Sequence, residues 1–185
     1  MNASARQSKR ITATHRSLGG PEWLILIGAD VFIFILWLSA VFDASIRWLH
    51  FFQAWMYIAA LVLSLHRNRW GYFIGVSIAA FWDYNNLFVT SFLRSGLIHL
   101  WQSIHSGHLS RPDQIIAVPA WTGNLLLIIG CAWGYTRLAN KSRGDVLRFP
   151  LAFALMTGLF ALIIAMFQPR YLPMFRHVLH PHAPW

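Results

Sequence analysis

Five apolar stretches of about twenty residues constrain what this chain can fold into. They cover residues 22–42, 48–65, 71–92, 115–136 and 147–167. A helix needs about 20 residues to cross a hydrocarbon core of about 30 Å, and within lipid it satisfies all of its own backbone hydrogen bonds. The sequence therefore predicts an all-α, polytopic membrane protein, in which residues 22–167 form one bundle of five transmembrane helices.

The amino-acid composition excludes a soluble protein. Of the 185 residues, 57% are hydrophobic and only 11% are charged, whereas about 25% of the residues in soluble domains are charged. The chain has 15 Lys and Arg against six Asp and Glu, a balance that in a soluble protein would suggest nucleic-acid binding. Here the basic residues stand in the connections between apolar stretches, where they orient helices and contact lipid headgroups. We therefore expect the lipid bilayer as a partner, and no nucleic acid.

The distribution of basic residues predicts the orientation of the bundle. If the N-terminus is inside, the inner segments carry Arg6, Lys9, Arg10, Arg16, Arg67, Arg69, Arg137, Lys141, Arg143 and Arg148, and the outer segments carry Arg47, Arg94, Arg111, Arg170 and Arg176. This excess on the inner side favours a bacterial inner-membrane protein with a basic cytoplasmic tail over residues 1–21 and a Pro- and His-rich periplasmic tail over residues 168–185.

The N-terminal tail also allows a second location. Residues 1–21 contain no acidic residue and are rich in Ser, Thr and Arg, as are mitochondrial transit peptides. The mitochondrial inner membrane is therefore the alternative.

Residues 93–108 have the pattern of an amphipathic helix. The apolar residues recur at spacings that place them on one helical face, and Arg94, Ser95 and His99 lie on the other side. The apolar residues are Leu93, Leu97, Leu100, Trp101 and Ile104. The pattern predicts a helix on the outer surface of the membrane, or a continuation of the third transmembrane helix beyond the bilayer.

Two aspartates lie inside apolar stretches, where a charged carboxylate is expensive and usually has a partner or a function. Asp83 is roughly 18 Å from the inner face and Asn124 about 14 Å from the outer face, so their depths nearly coincide. Asn86 follows Asp83 by one helical turn, Gln53 enters from the outer end of its helix, and Asp30 is slightly shallower. These five residues form a predicted intramembrane polar pocket. The alternative is that they only hydrogen-bond between helices and fix the packing.

The histidines provide a weaker signal. In the predicted topology seven of them lie at the outer face: His50, His99, His105, His108, His177, His180 and His182. Because imidazole is a good ligand for Zn and Cu, His99, His105 and His108 are candidate metal ligands. However, His99 and His105 are six residues apart, which places them on different faces of a helix. Exposed histidines without any metal also explain the pattern.

No catalytic motif is present, and we predict no catalytic residue. The sequence contains no HExxH, no GxSxG and no Walker-type glycine loop. Five tryptophans lie deep within the predicted spans, where they either pack the bundle or line a groove for bound lipid or pigment. They are Trp37, Trp55, Trp82, Trp121 and Trp133.

Three functions fit these features. The first is an accessory subunit or assembly factor of a larger membrane complex, with other membrane subunits as partners. The second is a small transporter or channel-like protein that uses the polar pocket. The third is a membrane enzyme or metal-handling protein that uses the outer-face histidines.

Overall fold

The computed structural model describes residues 17–139 and 141–173, and this part of the chain is helical, with turns and short connections between the helices. Its α-helices are α1 (Gly20–Phe42), α2 (Arg47–Leu65), α3 (Arg69–Tyr84), α4 (Phe92–Ser106), α5 (Pro112–Ile115), α6 (Ala117–Thr136) and α7 (Asp145–Phe167). The predicted tails over residues 1–21 and 168–185 lie mostly outside the described residues. His177, His180 and His182 lie entirely outside them.

Within residues 17–139 and 141–173, four helical segments are long and apolar enough to cross a membrane. They are Gly20–Phe42, Ala44–Leu65, Pro112–Thr136 and Asp145–Phe167. They coincide with the first, second, fourth and fifth apolar stretches of the sequence. An all-helical fold with four such helices is the fold expected of a multi-pass membrane protein.

The third apolar stretch does not form one continuous α-helix. α3 ends at Tyr84, well before residue 92, and a π-helical turn over Asn85–Val89 follows. The side-chain amides of Asn85 and Asn86 explain the change, because they donate hydrogen bonds to the carbonyls of Phe81 (2.7 Å) and Trp82 (2.9 Å), four residues earlier. Such bonds compete with the backbone amides for the same carbonyl groups.

α4 covers the segment predicted to be an amphipathic helix. It buries Leu93 and Gly96 and exposes Leu97, Trp101 and Ile104. Gly96 is required by a close approach: a Cβ atom there would lie 2.6 Å from the carbonyl oxygen of Gln114. The helix therefore packs on α5 and the start of α6 through a narrow strip, and leaves most of its apolar side chains uncovered.

The helices of the bundle pack closely through small residues. α1 and α6 are antiparallel, and a Cβ atom on Gly28 would lie 2.6 Å from the backbone of both Gly123 and Leu127. Small residues at such contacts let helix backbones approach each other, which is the main source of helix association in lipid.

The two ends of the bundle differ in their ion pairs and in the elements that cover them. At one end, which we call the arginine end, Arg67 pairs with Glu22 (3.1 Å) and both Arg69 and Arg148 reach the buried Asp145. The opposite end, which we call the α4 end, holds α4, α5 and the C-terminus of α7. The candidate site opens at the α4 end.

Candidate functional site

A buried cluster of three polar side chains lies at the centre of the bundle. Tyr57 of α2 donates a hydrogen bond to Asn124 Oδ1 (3.0 Å), and Asn124 Nδ2 donates to Asp83 Oδ1 (3.2 Å). Tyr57 and Asn124 are completely buried, and Asp83 is 6% exposed. Three helices, α2, α3 and α6, each contribute one member. The tyrosine therefore orients the amide so that its NH₂ group faces the carboxyl group.

The second oxygen of Asp83 is different. Oδ2 is buried, and within residues 17–139 and 141–173 it has no hydrogen-bond partner. A buried carboxyl oxygen without a donor is unfavourable, since desolvation of the group is not offset. Groups left in this state in a folded protein are candidates for a functional role.

A cavity of about 400 Å³ lies between this cluster and the α4 end. Its walls are mostly apolar, with a smaller set of polar side chains. These are Ser39, Asp43, His50, Gln53, Asn86, Thr90, Asp113 and Tyr171. Asp43 and Asp113 have side chains that are 48% and 41% exposed, so they mark the mouth of the cavity.

The polar groups of the cavity descend along two helices. On α2, His50, Gln53 and Tyr57 follow one another at spacings of three and four residues and therefore share one face. At 1.5 Å per residue, Tyr57 lies about 10 Å deeper than His50. In the π turn that follows α3, Asn86 lines the cavity, and Asp83 of α3 lies about 4.5 Å below it. Both helices lead from the mouth toward the buried carboxyl group.

Two aromatic rings separate the cavity from the cluster. Phe32 is completely buried, stacks on Tyr57 with ring centroids 4.2 Å apart, and meets Trp82 edge to face at 5.1 Å. Phe32 and Trp82 both line the cavity, but Asp83 does not.

The mouth carries a carboxylate that is charged at neutral pH. Hydrogen bonds from the hydroxyl and the backbone amide of Ser45 lower the pKa of Asp43, and the nearby Arg170 guanidinium contributes to the same shift. Arg170 lies 3.6 Å from Asp43 and Arg111 lies 3.1 Å from Asp113, so both carboxylates at the mouth are paired with arginines and leave no net negative charge there.

The structure brings four of the five residues of the predicted pocket into one region of the bundle. Asp83 and Asn124 touch, and Gln53 and Asn86 line the cavity above them. Asp30 was wrongly included: it lies on the exposed face of α1, whereas its neighbours Ala29 and Phe32 face the core. Depth along a helix can be counted from the sequence, but the rotation of α1 depends on how Gly28 packs against α6.

Two residues of the site were not predicted. Tyr57 was missed, although its position one helical turn after Gln53 was a usable signal. His50 was assigned to the outer surface, but it is half-buried in the cavity wall, with Nδ1 2.6 Å from Ser39 Oγ and 3.1 Å from the Leu36 carbonyl oxygen.

The three candidate metal ligands lie on or just after α4. His99 Nδ1 is 3.1 Å from both Gln102 Oε1 and Ser110 Oγ, and His105 Nδ1 is 2.9 Å from the Trp101 carbonyl oxygen. His105 and His108 are exposed. In the described ranges, no three His, Cys, Asp or Glu side chains are grouped so that they could hold a metal ion.

No protein-family model, curated protein or solved structure matches this chain. The chemical properties of the site are therefore inferred from its geometry alone. A carboxyl group with one free oxygen, reached through a mostly apolar cavity with amide, imidazole and hydroxyl groups, can accept a proton or bind a small cation.

Proposed function

We propose that the bundle crosses the membrane five times, with α3 and the following π turn as the third crossing. The 16 residues of α3 and the five of the turn extend for about 32 Å, close to the thickness of a hydrocarbon core. α3 packs against α2, α6 and α7, so protein rather than lipid surrounds much of it. By the positive-inside rule, the arginine end faces the cytoplasm and α4 lies on the opposite membrane surface.

Within this topology we propose that the protein is a small transporter or channel-like protein, in which Asp83 receives a proton or a small cation from the cavity. The observation that supports this function is the Oδ2 atom of Asp83, which has no hydrogen-bond partner among the described residues and lies one helical turn below a cavity of about 400 Å³. A purely structural carboxyl group would be expected to have donors for both oxygens.

The arrangement supports a half-channel that ends at the carboxyl group. His50, Gln53 and Asn86 provide polar groups at successive depths along the cavity. Below Asp83 the interior is closed by tightly packed side chains such as Leu127 and Cys131, both completely buried. Passage across the whole membrane therefore requires a conformational change that exposes Asp83 toward the arginine end.

The test uses purified protein in liposomes that contain a pH-sensitive dye. We expect the wild type to dissipate an imposed pH gradient, and Asp83→Asn to reduce the flux at least about tenfold, because an amide does not carry the proton. Asp30→Asn is the matched control, since it removes the other intramembrane carboxyl group outside the site. Parallel measurement of alkali-cation flux distinguishes a proton from a metal cation. Equal fluxes in all three proteins would show that Asp83 only fixes the packing.

A second candidate function is an accessory subunit of a larger membrane complex. Asp30 favours it, because this residue lies mid-helix on the exposed face of α1, where lipid alone would leave a carboxyl group unpaired. Extraction from the native membrane in mild detergent, followed by native mass measurement, tests this function. A complex of fixed composition supports it, and a lone monomer or homo-oligomer contradicts it.

A further inference from the structure

One face of α1 carries a regular stripe of exposed residues. They are Trp23, Ile27, Asp30, Phe34, Trp37 and Val41. The spacings alternate between four and three residues, which is the spacing by which one helix packs lengthwise against another. We call this surface the α1 stripe. Its apolar members are between 46% and 78% exposed.

Asp30 lies at the centre of the stripe. α1 runs from Gly20 to Phe42, so Asp30 is about 1.5 Å from the midpoint of the helix. The other described residues provide no hydrogen bond or ion pair to its carboxyl group. At the middle of a bilayer such a group is among the most unfavourable to leave facing lipid.

The exposed face of α7 provides a contrast. Between Phe149 and Phe167 that helix has no charged residue, and Leu151, Leu155 and Leu162 are more than half exposed. That surface suits lipid tails. The α1 stripe is also mostly apolar, but it carries one carboxyl group at its centre. Lipid tails can cover the apolar residues toward its two ends, but they offer no partner to the central carboxyl group.

We propose that the α1 stripe binds a membrane-spanning helix of another subunit, with a Lys, Arg or His side chain opposite Asp30. This inference rests on the second candidate function and identifies its partner by chemistry. A basic side chain supplies both the opposite charge and hydrogen-bond donors to the carboxylate. A second copy of this chain would instead place two Asp30 carboxyl groups opposite each other, an arrangement that requires one of them to be protonated and that lacks the opposite charge of a basic side chain.

The experiment places a photo-crosslinking amino acid at Phe34 of the full-length chain in its native membrane. Leu155 is the matched control position, since it is similarly exposed on α7. We expect the Phe34 position to crosslink to one membrane-spanning segment with a basic residue near its middle, and the Leu155 position to give no such product. Asp30→Asn should lower the yield by about tenfold, which corresponds to about 1.4 kcal/mol, and Asp43→Asn should leave it unchanged.

A charge exchange completes the test. Asp30→Lys should abolish the crosslink, and changing the partner's basic residue to Asp should restore it. A crosslink to a second copy of this chain, a crosslink only to lipid, or a yield unaffected by Asp30→Asn would overturn the inference. If native mass shows a stable complex while Phe34 reaches only lipid, the subunit function holds and this surface is not its interface.

Discussion

Two buried aspartates, Asp145 at the arginine end and Asp83 at the centre of the bundle, have opposite surroundings. Asp145 accepts hydrogen bonds from Arg148 (2.6 Å), Arg69 (3.4 Å), the Tyr135 hydroxyl (3.0 Å) and the Ser142 backbone amide (2.9 Å). Asp83 accepts one bond, from Asn124, and its second oxygen has none among the described residues.

The difference distinguishes a carboxylate whose oxygens are bonded to the protein from a carboxyl group with one oxygen available to a proton or cation. The donors around Asp145 come from α3, α6, the loop before α7 and α7 itself, so the carboxylate joins elements that are distant in sequence. Asp83 is held by a single amide and lies below a cavity. We infer that Asp145 contributes mainly to stability and that Asp83 contributes mainly to function.

The largest expected effect is the loss of the Asp145 contacts. Asp145→Ala removes the buried anion that Arg69 and Arg148 share, together with the hydrogen bonds from Tyr135 and Ser142, and the loss of one partner of such a pair is destabilising. We expect the midpoint of thermal unfolding in detergent to fall by roughly 10 °C. Asp113→Ala is the control, because its pair with Arg111 is exposed and such pairs contribute little. Equal midpoints for the two variants would contradict a structural role for Asp145.

An intermediate effect is expected from Asn124→Leu. The leucine has a similar size but can neither donate to Asp83 nor accept from Tyr57, so two buried polar groups lose their partner. We expect a decrease of about 2 kcal/mol in the free energy of unfolding. Asn86→Leu is the matched comparison, since Asn86 is only half-buried and should cost less. If both variants lose the same stability, the cluster is no more important for the fold than the cavity wall.

The smallest effect on stability is expected from Asp83→Asn. The asparagine carbonyl still accepts the hydrogen bond from Asn124, so the free energy of unfolding should change by less than about 1 kcal/mol. The same variant should lose the flux described above. A loss of stability as large as that of Asp145→Ala would remove the distinction between the two aspartates and would favour a packing role for Asp83.

The predicted polar pocket shows which features of the site can be obtained by counting residues along each helix. Because α3 and α6 are antiparallel, the depths of Asp83 and Asn124 follow from the rise per residue, and the two side chains touch. Asp30 has a comparable depth but belongs to a different face, because close contacts at Gly28, Gly123 and Gly130 set the rotation of α1. The depth of a residue in the membrane depends only on its position along its own helix. The direction in which its side chain faces depends on how that helix packs against its neighbours.

The sequence by itself determined the membrane class and the positions of the four long apolar helices, because length and apolarity are properties of single segments. Only the tertiary structure decided that Asp145 is surrounded by donors, that Asp83 has a free oxygen beneath a cavity, and that Asp30 lies on the outside of the bundle. These outcomes depend on which residues of other helices meet each carboxyl group. Contacts between helices are set by close packing across the whole bundle, and no single stretch of sequence contains that information.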